Sequence, residues 1–208
     1  MPTGNRNKAC VILVQTIWSE RLMKKILALE ERITKKFRLK PENKAAYSIA
    51  SLLAHSGDSW WWLLGLFLVW LTTFFFSPRW HYIAGVLAFS LLIEAALVLR
   101  LKFFIKRRRP EGEWGAVYRN TDPHSFPSGH AARAVLIAVM SWAIAPLWFG
   151  IATLIWAPLA CAGRVLMGVH YFSDVLAGMV IGFISGLIML QLIPIVVPMI
   201  NAAIPFAF

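Results

Sequence analysis

The chain has 208 residues, enough for one domain, and 59% of them are apolar, well above the roughly 45–50% usual in soluble proteins. Its formal net charge is +11, yet no nucleic-acid reader motif accompanies that charge, which argues against a nucleic-acid partner. The basic residues fall in two blocks, before Trp60 and between Arg100 and Arg119, and basic blocks beside membrane spans suit anionic lipid headgroups.

The short apolar stretch from Cys10 to Trp18 is followed directly by charges and has no small-residue cleavage site, so no cleavable signal peptide is expected. Residues 17 to 40 have the pattern of an amphipathic helix. Ile17, Leu22, Ile26, Leu29, Ile33 and Phe37 recur at helical spacing, with Lys24, Lys25, Arg32, Lys35 and Lys36 between them. Such a helix lies in the membrane interface or packs on the rest of the protein; the pattern suits both. Pro41 ends it or bends it.

Five apolar runs follow. They cover about Trp60 to Phe76, Tyr82 to Leu99, His130 to Ala145, Leu147 to Ala162 and Val175 to Ile193. Several are at the short end of what a bilayer requires, about 20 residues. A sixth span hidden in residues 45 to 59 or near Val11 is disfavoured by Asp58 and neighbouring charges. The expected fold is all-α: a polytopic transmembrane bundle of five to six spans with an N-terminal interfacial helix. Residues 1–59 form a basic N-terminal region and 60–208 the transmembrane domain. Glu94 sits within the second run, and an intramembrane carboxylate marks a functional site or a structural ion pair. The cysteines, Cys10 and Cys161, form neither a CxxC pair nor a disulfide framework.

Chemistry concentrates between the spans. Lys102 stands seven residues before Arg109-Pro110, a basic cluster that alone is ordinary for a membrane protein. Pro127-Ser128-Gly129-His130 directly precedes the third run. Ser128 suits a helix N-cap, and the N–H groups of a helix start favour an anion there. His130 would lie within a turn of it. Arg164 is followed by His170 and Asp174; a carboxylate beside an imidazole fixes its tautomer, and arginine presents a planar fork to phosphate oxygens. Arg133, one turn after His130, contacts a diphosphate or headgroup or merely snorkels. Arg107 and Arg108 suit either a headgroup or the surface. His55, His81 and His124 belong to no motif.

In order and spacing these motifs resemble the type 2 phosphatidic acid phosphatase (PAP2) superfamily, membrane branch. That family carries lysine, six residues, Arg-Pro; then Pro-Ser-Gly-His; then Ser-Arg, five residues, His, three residues, Asp. The chain departs once from the last motif: Gly163 stands where the family usually has serine. The resemblance implies hydrolysis of a lipid phosphate or polyprenyl diphosphate without metal or cofactor. His170 would attack phosphorus to form a phosphohistidine, oriented by Asp174. His130 would protonate the leaving oxygen and then activate water. Lys102, Arg109, Ser128, Gly129 and Arg164 would hold the phosphoryl oxygens. Alternatives are a lipid phosphotransferase using the same site, or a non-catalytic anion or lipid carrier, which would need no acid and nucleophile pair.

The expected location is a bacterial cytoplasmic membrane. With five spans, the N-terminus and all motif loops share the side that carries nearly every Lys and Arg, while Arg79 lies opposite. The positive-inside rule then favours the cytoplasmic face, although cations retained for chemistry weaken that count. A sixth span would move the N-terminal block to the opposite side.

Overall fold

In the computed structural model, residues 25, 27–110, 122–204 and 208 are described. Helix α1 covers residues 27–37. It is followed by α2 (Lys44–His55), α3 (Ser59–Thr73), α4 (Pro78–Ile105), α5 (Gly129–Ile144), α6 (Leu147–Leu166) and α7 (Phe172–Ala203). Helices α4, α6 and α7 are long and apolar enough to cross a membrane, and α3 and α5 are shorter apolar helices. The molecule is therefore the helical membrane bundle that the apolar runs imply.

Three helices extend beyond those runs. Helix α4 starts at Pro78, a residue suited to the first helical turn, and continues past Leu99 because Lys102 turns inward and is buried. Helix α6 passes Ala162 for the same reason, carrying buried Arg164 on its last turn. Helix α7 continues to Ala203 with Pro194 and Pro198 inside it. In lipid, leaving the helix would strand more backbone groups than the two missing N–H donors do.

A sixth span over residues 45 to 59 is not realised. That segment holds α2, a 12-residue helix about 18 Å long, too short to cross. It docks on the end of α6 that carries Arg164. The region near Val11 and the first part of the expected amphipathic helix lie outside the described residues. What is described of that helix, α1, turns Thr34 and Glu30 toward the protein and leaves Leu29 and Phe37 exposed, an arrangement that suits the membrane interface.

Helix α5 is the centre of the bundle, packed against α4, α6 and α7. Its small residues Ala131, Ala132, Ala134 and Ala138 are buried and let neighbouring backbones come close. Opposite them, α7 presents Gly178, Gly182 and Gly186. A Cβ on Gly182 would fall 2.0 Å from the carbonyl oxygen of Ala132, and one on Gly178 would fall 2.4 Å from that of Ser128. The two helices thus meet backbone to backbone. Their starts are tied by the Ser128 N–H, which donates to the Asp174 carbonyl at 3.0 Å. Exposed Trp60 and Trp61 start α3, while exposed Phe75, Phe76 and Trp148 mark the other end of the bundle, the two aromatic levels expected of a membrane protein.

Candidate active site

The ends of α4 and α6 and the starts of α3, α5 and α7 converge on one side of the bundle. His170 precedes α7 in the tight connection from α6 and is 1% exposed. The pair with Asp174 does not share a helix face, as spacing alone suggests. Instead Asp174, in the first turn of α7, accepts from the Tyr171 N–H at 2.9 Å and folds back beneath the ring. Its Oδ2 lies 3.6 Å from His170 Nδ1. On the other nitrogen, Nε2, Arg109 approaches at 3.2 Å as a donor, so Nε2 bears the lone pair and Nδ1 the proton. Burial first, then the charges of Arg164, Arg109 and Lys102, hold this imidazole well below the ordinary histidine range. The ring is therefore held neutral at pH 7.

Asp174 is itself positioned. Arg107 donates to its Oδ1 at 2.7 Å and to Ser173 Oγ at 2.7 Å, stacks 4.3 Å over the Tyr171 ring, and pairs with Glu30 of α1. Arg107 is thus neither a headgroup contact nor a loose surface charge; Arg108 is exposed. Lys106 caps α4 in the left-handed conformation, φ 52°, and the chain leaves extended. Side chains then alternate, so Arg107 and Arg109 face inward and Arg108 outward.

Lys102 and Arg109 converge on the carboxylate of Asp122. Lys102 pairs with it, and Arg109 Nη2 donates to the same oxygen at 2.7 Å. Arg109 also donates to the Asp122 and Val169 carbonyls at 2.7 and 3.0 Å. The two cations of the first motif therefore hold an anion supplied by the chain itself. Ser128 occupies the N-cap position of α5, but its side chain makes no capping bond. Its hydroxyl is buried without a partner. That orphan donor, beside Gly129 at a helix start, is the feature expected of an anion seat.

His130 and His170 lie within electrostatic reach of each other and of Arg164 and Lys102. His130 Nε2 is 2.5 Å from Asp58 Oδ1. Asp58 comes from the α2–α3 turn and also meets His55 Nδ1 at 3.3 Å. Trp62 and Trp156 fix that turn, donating to the carbonyl and hydroxyl of Ser56 at 2.9 and 2.8 Å. Arg164, 1% exposed, donates to the Ala54 carbonyl at 3.2 Å. Gly163 permits this docking. A Cβ there would stand 2.8 Å from Ala54 N and 3.1 Å from Ala50 O. The glycine that departs from the expected motif is the site where α2 touches α6.

All eight motif residues thus face one region, and Asp58, Asp122 and Arg107 join them. Asp58 and Asp122 carry no spacing signal, and Arg107 was indistinguishable from its neighbours in an arginine run. The PAP2 superfamily sequence profile matches residues 83–197. The decaprenylphosphoryl-5-phosphoribose phosphatases of two Mycobacterium tuberculosis strains, CDC 1551 / Oshkosh and H37Rv, are 32% identical over 107 residues. That match covers 51% of this chain and 57% of each relative, so the chain spans little more than half their length. Among solved structures, the PAP2-type phosphatidylglycerolphosphate phosphatase of Bacillus subtilis has the same fold, with TM-score 0.64 and 21% identity over 88% of this chain and 94% of that one. LpxE of Aquifex aeolicus gives TM-score 0.58 and 26% identity over 79% of this chain and 94% of its own.

Proposed function

The chain belongs to the PAP2 superfamily, and on that footing we propose that it is an integral membrane lipid phosphate or diphosphate phosphatase working through a phosphohistidine. One observation carries the proposal: neutral, buried His170 has its Nε2 lone pair beside Arg109, and its Nδ1 faces Asp174. Nε2 attacks phosphorus, and the developing imidazolium is stabilised by Asp174, which Arg107 holds in place. Lys102, Arg109, Arg164, the Ser128 hydroxyl and the Gly129 N–H take the phosphoryl oxygens. Phosphoryl transfer depends mostly on such positioning and charge stabilisation. His130, oriented by its hydrogen bond with Asp58, passes a proton to the leaving oxygen; it then removes a proton from the water that cleaves the phosphohistidine. A positioned proton donor of this kind contributes typically about 10²–10⁴-fold. No step requires a metal ion. The substrate lies in a bacterial cytoplasmic membrane, its phosphate at the end of the bundle that carries α1 and α2 and its chain alongside the helices.

The test is phosphate release by the purified chain in detergent, with EDTA present, over a panel of lipid phosphates. His170→Ala should be inactive. His130→Ala should accumulate a labelled protein whose phosphate survives base and is lost in acid. Full turnover by His170→Ala, or strict dependence on an added divalent metal, would refute the scheme.

A further inference from the structure

Arg133 is a buried cation that the hydrolytic scheme does not use. It lines a cavity of about 540 Å³ together with Lys102, His130, Asp58 and Asp122 on the polar side and Trp60, Val98 and Leu99 on the apolar side. A Cβ built on Gly129 would lie 3.6 Å from Arg133 Nη1 and 3.3 Å from Val98 Cγ1. The guanidinium therefore sits where the apolar wall meets the start of α5, one turn further from the helix start than His130. The residue is 8% exposed. Its Nε donates to the Gly57 carbonyl at 3.3 Å, and among the described residues its two terminal nitrogens have no hydrogen-bond partner and it forms no ion pair. Asp58, Asp122 and Glu94 lie within electrostatic reach, but none of them is that partner, not even Glu94. It is 1% exposed, and both its oxygens are buried without a hydrogen bond. The planar fork of Arg133 is thus left facing the cavity. A buried cation with unused donors is costly unless an anion meets it.

We propose that Arg133 seats a second phosphate of the substrate, on the lipid side of the bond that is cut. This rests on the phosphatase reading above and narrows its substrate class to lipids carrying two phosphorus groups. The terminal phosphoryl lies against His170, and the leaving oxygen faces His130. The next group toward the apolar wall passes Arg133. In a lipid diphosphate, attack by Nε2 forms the N–P bond as the bond from terminal phosphorus to bridging oxygen breaks. The electron pair stays on that oxygen, and the lipid monophosphate departs with its charge on Arg133. Water then cleaves the phosphohistidine to give inorganic phosphate and restore the imidazole. A phosphodiester set one sugar away from a terminal phosphate presents the same second anion, reached across a longer span.

The experiment compares kcat/KM of the full chain on a prenyl diphosphate, the matching prenyl monophosphate, and a prenyl phosphodiester of a sugar phosphate. One or both of the doubly phosphorylated lipids should exceed the monophosphate by about tenfold or more, the order expected of a bidentate charge-assisted contact; which one does identifies the source of the second phosphate. Arg133→Gln should bring that ratio to within about threefold, and Arg133→Lys should keep part of it, since lysine retains the charge but not the fork. An equal proportional loss on all three substrates would assign Arg133 a structural role and overturn the proposal, as would a wild-type chain with no preference. If Arg133→Gln does not fold, inhibition of wild-type monophosphate hydrolysis still decides. Inorganic diphosphate should inhibit at concentrations about tenfold below phosphate, and equal potency would refute the seat. Hydrolysis of none of the lipids would instead defeat the phosphatase reading.

Discussion

Replacing Gly163 by serine, the residue the family pattern usually has there, should damage this protein. The new Cβ would stand 2.8 Å from Ala54 N and 3.1 Å from both Ala50 O and Ala54 Cα. All three are backbone atoms of α2, so no rotamer change relieves the overlap and the helix must move. Overpacking of this kind costs about 1–3 kcal/mol. For a chain of this size that corresponds to a fall in Tm of about 2–12 °C. Cys161, buried on α6 two residues away, provides the assay. With Cys10 replaced by serine, a thiol-reactive fluorophore reports the temperature at which α6 becomes accessible. Turnover should fall as well, because moving α2 withdraws Asp58 from His130 and the Ala54 carbonyl from Arg164. Gly163→Ala should behave like Gly163→Ser, since the methylene is at fault, and Ala54→Gly should not rescue either. A Gly163→Ser protein with wild-type Tm and turnover would refute the claim that this glycine exists to admit α2.

Asp122 competes with substrate for Lys102 and Arg109, so Asp122→Asn should tighten inhibition by vanadate by up to about fivefold, given that removing a competing charge from a partly exposed pair is worth up to about 1 kcal/mol. Unchanged inhibition would show that the carboxylate is no competitor. Asp58→Asn should reduce kcat on lipid phosphates by about tenfold or more, within the range of a positioned proton donor. It should affect an aryl phosphate with a good leaving group far less, and equal losses on both would remove Asp58 from proton transfer. For His170, a folded pKa below the ordinary value means that the neutral form persists as pH falls through 6.5, and protonation ends activity only at lower pH. Arg109 is one cause of that depression, so Arg109→Gln should move the acidic limb of kcat/KM upward, whatever it costs in rate. A limb that stays in place would contradict the electrostatic assignment.

The membrane bundle and the proposed phosphate site were legible in the sequence to different depths. Apolar runs located five helices but cut α4 and α6 short, because Lys102 and Arg164 look like the polar flanks of a span when they are its inward-facing last turns. The motif residues could be read because each motif is short and its partners lie within a few positions. Asp58 could not, since it meets His130 across 72 positions with no local pattern to announce it. Asp122 lies 20 residues from Lys102, beyond any helical or strand period. Arg107 was hidden for another reason. Within three consecutive arginines, only the left-handed turn at Lys106 decides which ones face inward. Ser128 was placed correctly but for a different use, with its hydroxyl left over rather than spent on a cap.

The segment from Lys44 to Asp58 arches over a reaction centre whose signature residues all lie after it. A polypeptide beginning at position 60 would carry every diagnostic motif and all five apolar helices, and a motif search would score it as complete. It would nevertheless lack the carboxylate on His130 and the Ala54 carbonyl that accepts from Arg164. On the proposed scheme, catalytic competence would draw on residues well ahead of the stretch, 83–197, by which the family is recognised.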